Sequence, residues 1–227
     1  MQTEKYLEII TNESKEKFSS FERMLIERNR ICNLTSLVKH EEVIYKHFLD
    51  SIAGESLFKD GASVAEIGSG GGFPSIPLMI IRGDLKFTLI ESTNKKCAFL
   101  KEVVDKLGLN CVQVLNIRAE DGAHSEKLRE KFDCVCARAV AQLNTLCEYC
   151  LPYVKPGGSF IAYKGDAEEE IKNAENAIKV LGGKIDEIIK YELPKNMGAR
   201  TLISIKKVNK TPSLYPRGNG KERKNPL

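Results

Sequence analysis

The sequence predicts an α/β protein: a doubly wound, seven-stranded, mostly parallel sheet with an antiparallel edge strand, preceded by an N-terminal helical extension. From residue 61 onward, short apolar runs alternate with segments of helical length. Before that point, apolar side chains recur at three- and four-residue steps among charges. A chain of 227 residues with 42% hydrophobic and 29% charged side chains can bury one large core. We divide it into an extension (1–60), a domain (61–207) and a basic tail (208–227).

Each element follows from its local pattern. The extension has no Gly before Gly54 and repeats apolar residues with helical spacing: Leu7, Ile10, Phe18, Phe21, Leu25, then Val43, Ile44, Phe48 and Ile52. Seven runs predict strands, at 63–67, 86–90, 111–115, 133–137, 159–163, 185–191 and 201–205. Segments such as 95–107 and 167–181 can form crossover helices, which indicates parallel strands covered on both faces. The short link between the last two strands suits an antiparallel pair at one edge. From Asn209, repeated Pro and Gly predict a tail without regular structure.

Composition excludes several classes of protein. No apolar run approaches the roughly 20 residues that cross a bilayer, and the N-terminus does not resemble a signal peptide. Seven cysteines, an odd number, indicate reduced thiols, so we expect a soluble cytoplasmic protein without membrane attachment. Cys134, Cys136, Cys147 and Cys150 are poorly spaced for zinc, because one pair falls in a predicted strand and the other on a predicted helix. We interpret all four as core residues and predict no metal site.

The positive charge is concentrated at one end of the chain. The net charge is +4, yet residues 200–227 alone contain eight Lys or Arg and one Glu. Lys and Arg neutralise phosphates and release counterions, so such a tail can bind a polyanion. A solvated tail that aids solubility is the alternative.

The strongest local signal is a glycine-rich segment after the first predicted strand. Residues 66–74 read Glu-Ile-Gly-Ser-Gly-Gly-Gly-Phe-Pro and lead into a predicted helix. Glycines let the backbone approach a ligand and leave N–H groups free at a helix N-terminus. A dinucleotide fingerprint would need Gly at Phe73, and a P-loop would need a Gly-Lys-Ser/Thr ending, which is absent. The acidic-x-Gly-x-Gly-x-Gly pattern of Glu66, Gly68, Gly70 and Gly72 fits S-adenosylmethionine, whose cationic methionine end a carboxylate can balance. A turn without a ligand is the alternative.

Polar residues follow the next two strands at the same edge of the sheet. Glu91 lies 23 residues after Gly68, where adenosine cofactors present their ribose diol to a carboxylate. Ser92 and Thr93 come next, and either can instead cap the following helix. After the third strand we expect the adenine, with Glu120 or nearby backbone reading its amino group.

Two cations end the fourth and fifth strands. Arg138 lies among alanines and has room to reach a substrate, although an ion pair with Glu66 or Glu120 is the alternative. Lys164 can reach an RNA phosphate or only solvent. His47, near Asp50, is expected to make a structural hydrogen bond rather than act as an acid or base.

Taken together, these motifs resemble the bacterial small-subunit rRNA methyltransferase G family, also called GidB. The resemblance covers nearly the whole chain and is carried by the 68–77 loop, Ala137-Arg138-Ala139, and Tyr215-Pro216-Arg217 in the tail. Three positions depart from the family's usual pattern: Ser75 where Gly is common, Gly218 where Lys is common, and Glu222 where Pro is common.

The resemblance implies a class I S-adenosylmethionine-dependent methyltransferase that methylates N7 of a guanine in the 530 loop of 16S rRNA. Its partner would be 16S rRNA or the small ribosomal subunit, and we expect a monomer. The family implies cofactor contacts by Gly68, Phe73, Glu91, Ser92, Thr93, Ala119, Glu120 and Arg138, the last also serving catalysis. Guanine N7 has an exposed lone pair, so methyl transfer needs alignment more than a general base. A small-molecule O-methyltransferase and a non-catalytic RNA-binding module remain alternatives.

The tail is then an RNA-binding candidate. We assign RNA phosphate contacts to the cations at the strand ends and in the tail: Lys164, Arg200, Arg217, Lys221, Arg223 and Lys224. Tyr215 either stacks on an unpaired base or packs Pro216 against the body, and we favour packing.

Overall fold

The structure, a computed structural model, describes residues 12–227. Its strands are β1 (Ser63–Ile67), β2 (Lys86–Glu91), β3 (Val112–Asn116), β4 (Phe132–Arg138), β5 (Val154–Lys164), β6 (Gly183–Glu192) and β7 (Ala199–Lys207). Together they form one sheet in the order β3-β2-β1-β4-β5-β7-β6. Strands β1 to β5 pair in parallel, whereas β7 runs antiparallel to both β5 and β6. The predicted mixed sheet and its antiparallel pair at one edge are confirmed, with β6 outermost.

The helices cover both faces of this sheet. They are α1 (Asn12–Cys32), α2 (His40–Glu42), α3 (Asp50–Ile52), α4 (Ser75–Ile81), α5 (Asn94–Leu107), α6 (Ala119–His124), α7 (Leu143–Cys150), α8 (Glu168–Val180) and α9 (Lys221–Lys224). A π-helix, Val43–Leu49, joins α2 to α3, and 3-10 turns occupy Glu55–Leu57, Leu151–Tyr153 and Pro194–Asn196. The helical extension is confirmed from residue 12, whereas the predicted core positions Leu7 and Ile10 lie outside the described residues.

The helical extension shares its core with the sheet. Phe18, Phe21 and Leu25 of α1 are buried in the same apolar cluster as Phe73 and Leu100. The rings of Phe21 and Phe73 have centroids 5.3 Å apart. Because burying one Phe side chain stabilises a fold by about 1.5–3 kcal/mol, this contact fixes the extension firmly against the glycine loop.

The opposite face of the sheet holds a second apolar cluster, which includes the cysteines of α7. Cys134, Cys136, Cys147 and Cys150 are buried, as predicted for core residues, and none is in a disulfide. Burial raises the pKa of the Cys134 thiol far above its usual value. Among the described residues, no three His, Cys, Asp or Glu side chains are grouped so that they could hold a metal ion. No helix in residues 12–227 is long and apolar enough to cross a membrane.

The tail packs against this second face. The Arg129 guanidinium donates hydrogen bonds to the carbonyl oxygens of Thr211 and Tyr215, each at 2.9 Å. His124 Nε2 donates to the Pro216 carbonyl at 2.8 Å. The prediction of a tail without regular structure holds except at the four residues of α9, and the domain's side chains nevertheless fix the tail by binding its carbonyl groups. The predicted packing of Tyr215 and Pro216 on the body is confirmed.

Candidate active site

The glycine loop begins directly after β1, where the chain must turn sharply. Gly68, Gly70 and Gly72 have φ values of +71°, +53° and +90°, a region that favours glycine. A Cβ on Gly68 would lie 2.7 Å from Val140 Cγ2, so only glycine packs there without displacing Val140. The Gly68 N–H donates to the Ile90 carbonyl at 2.8 Å and ties the loop to β2.

A cavity of about 270 Å³ opens at the carboxyl ends of the parallel strands, and we call it the first cavity. It brings together residues that follow β1, β2, β3 and β4: Gly68, Ser92, Arg118, Ala119, Glu120 and Val140. Open α/β sheets bind ligands at this edge, where the strand order reverses. The predicted cofactor residues Gly68, Ser92, Ala119 and Glu120 therefore share one wall. The cavity beside a glycine turn, with polar groups from successive strand ends, fits an adenosine cofactor.

Glu91 connects the glycine loop to β2. Its Oε2 accepts a hydrogen bond from the Gly70 N–H at 3.0 Å, and its Oε1 accepts one from the Thr93 N–H at 2.7 Å. Thr93 is the N-cap residue of α5, as the capping interpretation predicts, although its side chain makes no capping hydrogen bond. A role of Glu91 and Thr93 toward the ribose stays a prediction, because neither lines the first cavity.

Glu66 lies beneath the loop and is fully buried. Ser75 Oγ donates a hydrogen bond to its Oε2, while Oε1 has no hydrogen-bond partner among the described residues. Burial raises the pKa of this carboxyl to about 7. Like Gly70, Gly72 and Phe73, Glu66 does not line the first cavity, so its contact with the cofactor stays a prediction.

Arg138, at the end of β4, is held by the helical extension. Its Nη1 donates to Asp50 Oδ2 at 2.9 Å and to the Lys46 carbonyl at 3.1 Å. Its Nη2 donates to His47 Nδ1 at 2.8 Å, and its guanidinium lies 4.9 Å from the centre of the Phe73 ring. The predicted alternative of an ion pair with Glu66 or Glu120 is wrong in its partner, because Asp50 from the extension reaches Arg138 first.

His47 stacks on Phe73 and is uncharged. The two ring centroids are 4.2 Å apart with an interplanar angle of 11°. Burial, and secondarily the Arg138 charge, lowers the pKa of His47 to about 3. Because Nδ1 accepts from Arg138, Nε2 carries the proton and donates to Thr35 Oγ1 at 2.7 Å. The structural role predicted for His47 is confirmed.

A second cavity, of about 390 Å³, is lined by residues at the end of β4 and directly after it. Val140 lines the first cavity, while Arg138 and Ala139 line the second, so both cavities adjoin residues 138–140. The second cavity also contains cationic and aromatic side chains, namely Lys46, His47, Tyr163 and Arg200. Two openings that adjoin one short segment can hold two reactants side by side.

A model of the family described as rRNA small subunit methyltransferase G matches residues 14–197. The chain belongs to this family. The ribosomal RNA small subunit methyltransferase G of Lactobacillus acidophilus is 45% identical over 224 residues, covering 96% of this chain and 93% of that protein. The protein of the same name from Lachnoclostridium phytofermentans is 47% identical over 215 residues, covering 93% of this chain and 89% of that protein. Membership makes the chain an rRNA methyltransferase whose methyl donor is S-adenosylmethionine.

Solved structures of low sequence identity share the fold. An S-adenosylmethionine-dependent methyltransferase from Aquifex aeolicus aligns with a TM-score of 0.57 at 16% identity, covering 76% of this chain and 96% of that one. An O-methyltransferase from Bacillus cereus, solved with S-adenosylhomocysteine, aligns with a TM-score of 0.58 at 18% identity, covering 82% of this chain and 91% of that one. The predicted class I methyltransferase fold is confirmed.

Two of the cations assigned to RNA form ion pairs within the protein in this member of the methyltransferase G family. Lys164 Nζ pairs with Glu170 Oε2 and donates to the Ala141 carbonyl, both at 2.6 Å, and its side chain is 8% exposed. Arg217 Nη2 pairs with Glu148 Oε2 at 2.7 Å, and Glu148 is buried. A carboxylate of the protein neutralises each of these two cations, and their assignment to RNA phosphates stays a prediction.

The other four cations lie in different surroundings. Lys221 and Lys224 are exposed on α9. Arg200 lines the second cavity, with its Nε 3.4 Å from Asp50 Oδ1. Arg223 donates to Tyr149 Oη at 3.1 Å and lines the first cavity.

Sequence reasoning named Asp50 only as a neighbour of His47 and did not find its ion pair with Arg138. Asp50 is 4% exposed and also accepts a hydrogen bond from Tyr191 Oη at 2.7 Å. Its spacing of three residues from His47 on a predicted helix was a usable signal, because side chains three apart share a helix face.

Proposed function

We propose that the protein transfers the methyl group of S-adenosylmethionine to N7 of a guanine in the 530 loop of 16S rRNA. The observation that supports this most is the pair of cavities that adjoin residues 138–140. In this proposal the first cavity takes the cofactor and the second takes the target base.

The residues of the first cavity are suited to the cofactor. The loop at Gly68, together with Ser92, Ala119 and Glu120, would hold the adenosine part, and Glu91 would keep the loop in position. When bound, S-adenosylmethionine supplies an electrophilic methyl group on a sulfonium centre.

The chain's own residues then have to orient the base. Guanine N7 carries a lone pair at neutral pH, so the step is an in-line displacement that needs no general base. The environment of His47 is consistent with a reaction that uses no general base. Both of its ring nitrogens are hydrogen-bonded within the protein, and its pKa of about 3 keeps it neutral. Arg138 positions the segment that both cavities adjoin, through Asp50 and Phe73. Arg200 can donate to guanine O6 and leave N7 free.

We also propose how the RNA is approached. The exposed Lys221 and Lys224, with Arg223 and Arg200 nearer the cavities, would contact phosphates of 16S rRNA or of the small subunit. The protein would act as a cytoplasmic monomer.

The decisive experiment uses S-adenosylmethionine labelled in its methyl group. The protein is incubated in parallel with small subunits, with deproteinised 16S rRNA and with small catechol-type acceptors. We expect label in 16S rRNA at a guanine that becomes sensitive to borohydride and aniline cleavage, the chemistry that detects 7-methylguanine. Label on small acceptors would support O-methylation instead, and RNA binding without any label would support a non-catalytic module.

A further inference from the structure

The C-terminal segment around α9 forms part of the wall of the first cavity. Gly220, Glu222 and Arg223 line the same opening as Gly68 and Ala119. This segment follows the last strand and lies outside the family match, which ends at residue 197.

The segment is held in place by α7. Thr145 Oγ1 donates to the Glu222 carbonyl at 2.9 Å, and Tyr149 Oη donates to Glu222 Oε1 at 2.8 Å. Arg217, just before the segment, makes its ion pair with Glu148 on the same helix. The wall is therefore a fixed part of the cavity, in contrast to a solvated arm.

Glu222 is an unusual group in such a position. It is 1% exposed, and its Oε2 has no hydrogen-bond partner among the described residues. A buried carboxylate oxygen without a donor is unfavourable, and a ligand that supplies a donor relieves that cost. The chemistry of the cavity therefore calls for a ligand with a hydrogen-bond donor near the tail.

Glu91, the other acidic residue next to the loop, differs from Glu222 because both of its oxygens have hydrogen-bond donors. Both oxygens of Glu91 already accept backbone N–H groups of the loop and of residue 93. The adenosine end of the cofactor is expected beside residues 118–120, which share the wall with Glu222. The donor that adenine carries is its exocyclic amine.

We propose that Glu222 is a cofactor-binding residue of this protein and that its Oε2 accepts a hydrogen bond from the exocyclic amine of adenine. This inference rests on the cofactor site proposed above. The C-terminal segment would then help determine cofactor specificity. Glu222, in place of Glu120, would accept the hydrogen bond from the adenine amino group.

The test compares two ligands by titration calorimetry on the full chain. One is S-adenosylhomocysteine, and the other is its 6-deamino analogue, in which hydrogen replaces the exocyclic amine. The measured quantity is the affinity ratio, the dissociation constant of the 6-deamino analogue divided by that of S-adenosylhomocysteine. A hydrogen bond to the Glu222 carboxylate should make this ratio about ten to a hundred in the unaltered protein. Glu222→Leu should bring the ratio close to one, whereas Asn225→Ala, at an exposed residue next to α9, should leave it unchanged.

Two further variants keep the test decisive. Glu222→Gln preserves side-chain size and should lower the ratio even if the Leu variant loses its packing. Glu120→Gln should leave the ratio high. An unchanged ratio in both Glu222 variants, or a loss of the ratio only in Glu120→Gln, would overturn the inference. If the unaltered protein did not bind S-adenosylhomocysteine at all, the cofactor site itself would be refuted, which is a distinct result.

Discussion

Replacing Gly68 with Ala probes the tight packing where β1 meets the glycine loop. Gly68 has a φ of +71°, and a Cβ there would lie 2.7 Å from Val140 Cγ2. The left-handed backbone costs a residue with a side chain about 1–2 kcal/mol. The overlap with Val140 adds about 1–3 kcal/mol of overpacking. We therefore expect Gly68→Ala to lower the free energy of unfolding by about 2–5 kcal/mol.

Gly61 provides a matched control for the backbone contribution. Its φ is +66°, and a Cβ there would meet no atom within 4 Å. Gly61→Ala should therefore lower the free energy of unfolding by only about 1–2 kcal/mol. Adding Val140→Ala to Gly68→Ala removes the overlapping methyl groups, so the double variant should be about 1–3 kcal/mol more stable than the sum of the single changes.

Urea denaturation followed by circular dichroism measures these variants, and calorimetry measures their affinity for S-adenosylhomocysteine. We expect that affinity to fall in Gly68→Ala and to stay unchanged in Gly61→Ala. Equal losses of stability in the two glycine variants, or strict additivity with Val140→Ala, would refute the packing argument.

Three further predictions concern ionisable groups of the site. Arg138→Lys keeps the charge beside Asp50 but loses the planar fork, so kcat for rRNA methylation should fall about a hundredfold while affinity for S-adenosylhomocysteine is retained. For His47, the folded pKa of about 3 lies below the unfolded value of 6.5, so the unfolded chain binds the proton first. The free energy of unfolding should therefore fall on acidification from pH 6.5 toward 3, by up to about 1.4 kcal/mol per pH unit, and this slope should weaken in His47→Gln. Glu66 has the opposite effect, because its pKa of about 7 in the folded protein lies above the unfolded value of 4.5. Its contribution to the free energy of unfolding is therefore lost as the pH rises from 4.5 through 7. Urea titrations at pH 5 and 8 should show this loss in the unaltered protein and not in Glu66→Gln.

Local patterns were sufficient to predict the sheet and the loop. Each strand and crossover helix depends on apolar spacing within a few residues, and the position of Gly68 after β1 follows from the same spacing. The strand order then placed Ser92, Ala119 and Glu120 at one edge, because parallel strands end together.

The partners of the charged residues could not be predicted in this way. Arg138 binds Asp50 from 88 residues away, and Arg217 binds Glu148 from 69 residues away. These pairs depend on how the extension and the tail pack, which local periodicity does not encode. The packing of the tail could not be predicted for a second reason. Arg129 donates to backbone carbonyl groups of the tail, and because every residue has a carbonyl group, the sequence does not mark these acceptors.

The way in which Arg138 is held also limits how members of the family can be recombined. Its three hydrogen-bond partners in the described part of the chain, the Lys46 carbonyl, His47 and Asp50, lie within five consecutive residues of the extension. A hybrid enzyme that took its extension from one protein and its sheet from another would have to transplant His47 and Asp50 in register with Arg138. The extension is thus not an interchangeable module, and a graft that ignored this register would leave the partly buried Arg138 guanidinium without its counter-ion.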